Sequence, residues 1–194
     1  MARKEEHQEQ LVAQLAAHYR EILRLIGENP EREGLLKTPE RAAKALVDIT
    51  VGYRQNPIDI VKQAIFEHEG SKMIIVKDIE FYSMCEHHIL PFFGSVSIGY
   101  LPKGKMIGLS KLARLVDNHA RRLQVQERLT SDVCRTLSES FPNEGVIVMC
   151  KAGHLCMKMR GVEKQESTTT TIEYSGRFAE EASLRDEFLR LLQA

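Results

Sequence analysis

Between about Glu5 and Ile26, apolar side chains recur at Leu11, Leu15, Tyr19, Ile22, Leu23 and Ile26, a spacing that collects them on one stripe of a helix. Gly27-Glu28-Asn29-Pro30 ends that pattern. Thr38-Pro39-Glu40 reads as an N-cap followed by Pro at the first helical position, and predicts a second helix through Ala42, Ala43, Leu46 and Val47. Asn56-Pro57 repeats the signal for a short third helix. After Gly70 the period changes from helical to alternating. Met73–Val76 and Ile79–Tyr82 predict a strand with an irregularity between its halves, and Phe92–Leu101 predicts another, with Val96, Ile98 and Tyr100 alternating against Ser95, Ser97 and Gly99. Pro102-Lys103-Gly104-Lys105 supplies a turn. Ser110 is the expected N-cap of a helix carrying Leu112, Leu115, Val116 and His119, and a further helix is expected from about Gln126 to Phe141. Strands over about 145–152, 154–161 and 167–174 follow, and a helix over Leu184–Leu192 closes the chain.

Helices, two strands, two helices, then two or three strands make an α+β pattern with an antiparallel sheet. The expected organisation is an N-terminal helical segment, 1–70, joined to a sheet-bearing domain, 71–194, as one functional unit. With 194 residues, 43% of them apolar, the chain buries a core without disulfide staples. Its longest apolar runs, such as Val146–Cys150, fall far short of the roughly 20 residues that cross a bilayer. A terminus that is charged from Arg3 onward leads into no apolar signal core, so a cytoplasmic protein is expected, in which four cysteines are thiols or metal ligands.

The reactive side chains concentrate in two places. Cys85-Glu86-His87-His88 sets a thiol and an imidazole three residues apart, and His154-Leu155-Cys156-Met157-Lys158-Met159-Arg160 supplies another of each. Read as a strand, the second segment presents His154, Cys156, Lys158 and Arg160 on one face and Leu155, Met157 and Met159 on a core face. Cys85, His88 and Cys156 together form a Cys2His set, the composition of catalytic zinc sites that keep a fourth position for water. Thiolate and imidazole suit zinc better than magnesium or calcium. His87 and His154 are then free as proton donors and acceptors. A closed structural site, with one of these histidines as fourth ligand, is the competing reading. Cys134 and Cys150 read as buried thiols.

Charge sharpens the picture. Lys+Arg and Asp+Glu both number 27, and this neutrality argues against a general nucleic-acid or membrane-surface binder. Locally it fails: residues 101–135 hold eight basic against three acidic side chains, and 151–164 hold four against one. Ser110 and Lys111 at a helix start, Arg114 one turn on, and Arg160 suit the phosphates of an anionic ligand. Glu127 at another helix start suits the dipole, and beside an amide it can also pair with the edge of a purine.

Ser83–His88, Gly108–Leu112, Gln124–Leu129, His154–Gly161 and Thr168–Thr171 together resemble GTP cyclohydrolase I in identity, order and separation, over essentially everything from Thr38 to Phe178. The resemblance implies a tunnelling fold, an antiparallel sheet with two helices on one face, assembled into a ring-shaped homodecamer with sites between subunits. It implies hydrolytic opening of the imidazole ring of GTP, release of C8 as formate and formation of 7,8-dihydroneopterin triphosphate, the first step of pterin and tetrahydrofolate synthesis. It assigns Cys85, His88 and Cys156 to Zn2+, His87 and His154 to acid/base work, and Glu127 with Gln126 to the guanine edge. Ser110, Lys111, Arg114 and Arg160 become ribose and triphosphate contacts, with Arg41 and Lys44 as further contacts from the N-terminal helices. Two rivals make different forecasts: a nitrile reductase on a related scaffold would need a nucleophilic cysteine and a nicotinamide cofactor, and a zinc-stabilised binding module would return GTP unchanged.

Overall fold

A computed structural model describes residues 2–70 and 72–193. The chain divides into two compact units between Val51 and Gly52. In the first, α1 (Ala2–Leu25) packs on α2 (Thr38–Ile49), whose Ala43 and Val47 are buried. The residue preceding α2 is Lys37, which caps without a side-chain bond, so Thr38 is not the N-cap that its sequence predicts; Pro39 does stand in the first turn. Helix α3 (Pro57–Lys62) starts as expected, Asn56 accepting a hydrogen bond from the Ile58 N–H at 3.1 Å. Although assigned from sequence to the N-terminal segment, α3 and β1 (Ile65–Glu67) pack with the sheet: Val61 is in its core and Ile65 pairs with Ile107 of β4 (Lys105–Ile107).

The second unit is built on a five-stranded sheet in the order β5-β2-β3-β6-β7. Its long strands are β2 (Ile74–Cys85), β3 (Pro91–Pro102) and β6 (Asn143–His154), with β7 (Thr169–Tyr174) at one edge. These run antiparallel, and the expected irregularity of β2 is a register shift between Val76 and Ile79, where Asp78 takes φ 55°. The exception to the antiparallel rule is β5, Leu123–Gln124, which runs parallel to Met84 and Cys85. Two residues are too few to show a hydrophobic pattern, so sequence periodicity does not reveal it.

Alternation along the strands decides which face is covered. Phe81 of β2, Val96, Ile98 and Tyr100 of β3, and Val146, Val148 and Cys150 of β6 are buried in one core with Leu112, Leu115 and Val116 of α4 (Leu109–Ala120) and Leu129, Val133 and Leu137 of α5 (Gln126–Ser140). The two-helix layer expected on one face is therefore present. Gly108 is the N-cap of α4, and Ser110 lies inside the first turn rather than capping it. On the opposite face Phe178 of α7 (Arg177–Glu180) and Phe188 of α8 (Ala182–Gln193) cover Leu101 and Ile147. Gly99 makes room for this second layer, since a Cβ there would stand 2.8 Å from Phe188 Cδ2.

The expected strand at 154–161 does not form. Strand β6 runs on to His154, and Leu155–Lys158 is one helical turn, α6, closed by a Met159 N–H to Leu155 carbonyl bond of 3.0 Å. Leu, Met and Lys are good helix formers, and a seven-residue alternation cannot by itself distinguish a strand from a turn that reverses the chain. The apolar face assigned to that strand is consequently not core: Met159 is 61% exposed and Met157 is also exposed.

Candidate metal centre and its surroundings

The helix-facing rows of two strands end in reactive residues. In β2 the row Phe81, Ser83 ends at Cys85, and in β6 the row Val146, Val148, Cys150, Ala152 ends at His154. Both ends lie at the same margin of the sheet, because β3 pairs with β2 on one side and with β6 on the other, Phe92 standing opposite Ser83 and His154 alike.

After Cys85 the chain turns sharply. The Ile89 N–H reaches the Cys85 carbonyl at 2.8 Å, the Cys85 N–H takes the Leu90 carbonyl at 2.9 Å, and Ile89 is held at φ 52°. A β-branched residue in the left-handed region costs about 1–2 kcal/mol. The strain sits at the turn that brings His88 back over Cys85, with His88 Nδ1 3.9 Å from Cys85 Sγ. The α6 turn carries Cys156 to the same place, and one donor atom from each of Cys85, His88 and Cys156 lies within 4.8 Å of the others. Ligands held ~2.0–2.3 Å from a tetrahedral zinc stand ~3.3–3.8 Å apart, so the three need only small side-chain adjustments to share one ion. The donor set, two thiols and an imidazole, also fits zinc chemically. Burial raises the Cys156 thiol above its usual range, with the neighbouring Cys85 adding to the shift and the Arg160 cation opposing it. Metal binding would remove those protons.

Among the described residues this cluster contains three donors and neither of the other histidines. His87 is exposed, its ring 6.2 Å from that of His88. His154 is half-buried against Phe92, ring centroids 4.6 Å apart. Its Nε2 lies 2.9 Å from Gln126 Oε1. Desolvation lowers the pKa of His154, and the nearby Glu127 carboxylate pulls it the other way. Glu127 itself is exposed at the start of α5.

Gln126 differs most from its sequence reading. It is 1% exposed, and its amide nitrogen points at the Cys150 carbonyl at 3.1 Å, the Thr169 carbonyl at 3.0 Å and Thr171 Oγ1 at 3.2 Å. Both N–H groups are used inside the protein and the oxygen already meets His154, which leaves a single Oε1 lone pair uncommitted. Glu127 faces outward, and Gln126 is built into the wall.

The phosphate candidates are dispersed. Ser110 and Arg114 are exposed on the first turns of α4, and Lys111 Nζ reaches Gln63 Oε1 at 2.8 Å. Arg160 follows α6, close enough to Cys156 to act on its charge. Arg41 and Lys44 are exposed in the first unit, where Lys44 is paired with Glu40 at 2.6 Å.

Some neighbours were not legible as site residues. The Glu86 N–H bonds the Gln124 carbonyl at 3.0 Å across the short parallel pair. Arg128 holds the Glu86 carboxylate and donates from Nε to Gln124 Oε1 at 3.0 Å, while Gln124 Nε2 donates to the His119 carbonyl at 3.0 Å. The Cys85–His88 turn is thus braced from α5 and from the end of α4. The spacing of Gln124 and Arg128 hints at an i,i+4 pair; nothing in the sequence marks Phe92.

The family model for GTP cyclohydrolase I matches residues 15–193. A GTP cyclohydrolase 1 of Porphyromonas gingivalis is 53% identical over 184 residues, 95% of either chain. That of Bacteroides fragilis is 49% identical over 193 residues, covering 100% of this chain and 99% of the relative, and that of Rattus norvegicus 50% identical over 192 residues, covering 99% and 80%. Among solved structures, an archaeosine synthase QueF-like protein in its apo form aligns with 97% of its length on 56% of this chain, at 18% identity and a TM-score of 0.45, too distant to bear on the site. With half its residues shared along nearly its whole length, this chain belongs to the GTP cyclohydrolase I family.

Proposed function

We propose that this chain opens the imidazole ring of GTP by hydrolysis, releases C8 as formate and rearranges the ribose to give 7,8-dihydroneopterin triphosphate. The observation that carries the reading is the convergence of Cys85, His88 and Cys156 beside His154, whose charge senses Glu127. Zn2+ held by those three residues would supply Lewis acidity and activate water near neutral pH.

The chain's own groups divide the remaining work. The exposed Glu127 carboxylate accepts hydrogen bonds from the guanine N1–H and the N2 amine, which fixes the base with its five-membered ring toward the cluster. His154, held flat against Phe92, takes a proton from the attacking water and passes it to the imidazole nitrogen as the ring opens. His87, exposed on the strained turn, moves protons to and from the formyl group as it leaves. Ser110, Lys111 and Arg114 at the start of α4, with Arg160, hold the ribose and triphosphate. The sheet unit already carries three cations for this task, so the reading does not require Arg41 or Lys44.

The same reading takes the active protein to be a cytoplasmic homodecameric ring with sites completed between subunits. Its support is the resemblance together with an open sheet whose terminal strand, β7, has one edge without a strand partner among the described residues.

The test is zinc-loaded protein given GTP, with formate assayed. His154→Ala is expected to keep one zinc per chain and lose formate production. Loss of the metal in that variant would put His154 among the ligands. Zinc and GTP bound without formate would make the chain a binding module, and zinc-free turnover dependent on NADPH would make it a reductase.

A further inference from the structure

The bonds around Gln126 determine which nitrogen of His154 can do chemistry. The carbonyls of Cys150 and Thr169 can only accept hydrogen bonds, and both face the same end of the Gln126 amide, at 3.1 and 3.0 Å. That end must be the NH2 group, since a flipped amide would set oxygen against two oxygens. The opposite end, Oε1, is then an obligatory acceptor, and it lies 2.9 Å from His154 Nε2. The proton of that contact has to be on Nε2.

Two further contacts hold the arrangement. Thr130 Oγ1 donates to the Gln126 main-chain carbonyl at 2.8 Å and lies 2.6 Å from Thr171 Oγ1, which in turn accepts from the Gln126 side-chain NH2 group. Phe92 stacks on the imidazole with the ring planes 2° apart, which removes the freedom to rotate out of the contact. The chain of restraint runs from β6 and β7 through Gln126 to the ring.

We propose that Gln126 is a positioning residue that locks His154 as the Nε2–H tautomer, so that Nδ1 alone exchanges protons during the reaction. This rests on the acid/base role proposed above for His154, but the lock itself does not depend on what the substrate is. It differs from a guanine-reading role for Gln126 in a measurable way. A reader contributes to substrate affinity, whereas a positioning residue contributes to the rate once substrate is bound.

The experiment has two arms. In the first, zinc-loaded full-length protein labelled with 15N-histidine is studied by NMR without GTP, and His154 is identified by the signal that His154→Asn removes. The lock predicts a proton on Nε2 whatever the state of Nδ1; an Nε2 without its proton, or a signal averaged over both nitrogens, overturns it. In the second, Gln126→Leu is expected to average the tautomers and lower kcat about tenfold or more, with KM for GTP within about twofold of the parent. A raised KM with kcat retained overturns the proposal in favour of base reading. If Gln126→Leu does not fold, the first arm decides alone, and because it uses no substrate its result stands whether or not GTP is turned over.

Discussion

Phe92 and His154 lie ring on ring, centroids 4.6 Å apart and planes 2° from parallel, because β3 and β6 place them directly opposite each other. Phe92 is fully buried and also meets Phe81 edge to face at 5.8 Å, so the histidine leans on a fixed wall of the core. Phe92→Leu keeps an apolar side chain but removes the stacking surface. It is expected to cost about 1–2 kcal/mol of stability from lost aromatic contact and a small cavity. Turnover should fall several-fold, while bound zinc stays at the parent level. Denaturant titration, initial rates and metal analysis on one preparation check this; reduced zinc with unaltered turnover per zinc would contradict it.

The four cysteines should separate into two pairs. Burial pushes the Cys134 thiol up to about 11 and Cys150 up to about 12, the first on the inner side of α5 and the second on β6, both in the core. In folded protein treated with a chelator at pH 8, an alkylating reagent is expected to reach Cys156 first, then Cys85, and to leave Cys134 and Cys150 unmodified until denaturant is added. Restoring zinc should protect the first pair. Peptide mass spectrometry reads the order, and modification of Cys134 or Cys150 in the folded chain would contradict it.

His119 should impose an acid limit on stability. It is buried, with Nε2 3.0 Å from Thr136 Oγ1 and Nδ1 without a hydrogen-bond partner. Desolvation pushes its pKa down to about 4; Arg122 and Arg135 lower it further, and Asp132 opposes them. The unfolded chain takes up this proton near pH 6.5 and the folded chain only near 4, so its contribution is complete above about 6.5 and is lost as pH falls toward 4. The full loss is roughly 3 kcal/mol. Urea denaturation at fixed protein concentration should show the parent losing that much more than His119→Gln between pH 7 and 4. Parallel curves for the two proteins would contradict it.

These cases show where the sequence was sufficient. Strict alternation in β3 and β6, and the 129-133-137 row of α5, specify which side chains face inward, and the Cys85/His88 spacing is already that of two ligands on one turn. Segments governed by a few local bonds were not legible. The alternation of residues 154–160 fits a strand, yet only the helical α6 turn returns Cys156 to the ligands, and β5 is a two-residue pairing with no pattern to read. Gln126 fits a base-reading amide by type and position, and only its partners on β6 and β7 disclose that the amide is already committed. Neutral overall charge likewise conceals the surplus of cations in 101–135 and 151–164.

The central claim concerns one carbon atom. Zinc-loaded protein supplied with GTP carrying 13C at C8 is expected to release one labelled formate for each GTP consumed, followed by carbon NMR, while phosphorus NMR shows the triphosphate retained intact on the side chain of the dihydropterin. GTP recovered with its label in place, or inorganic phosphate released while the purine stays closed, would contradict the account.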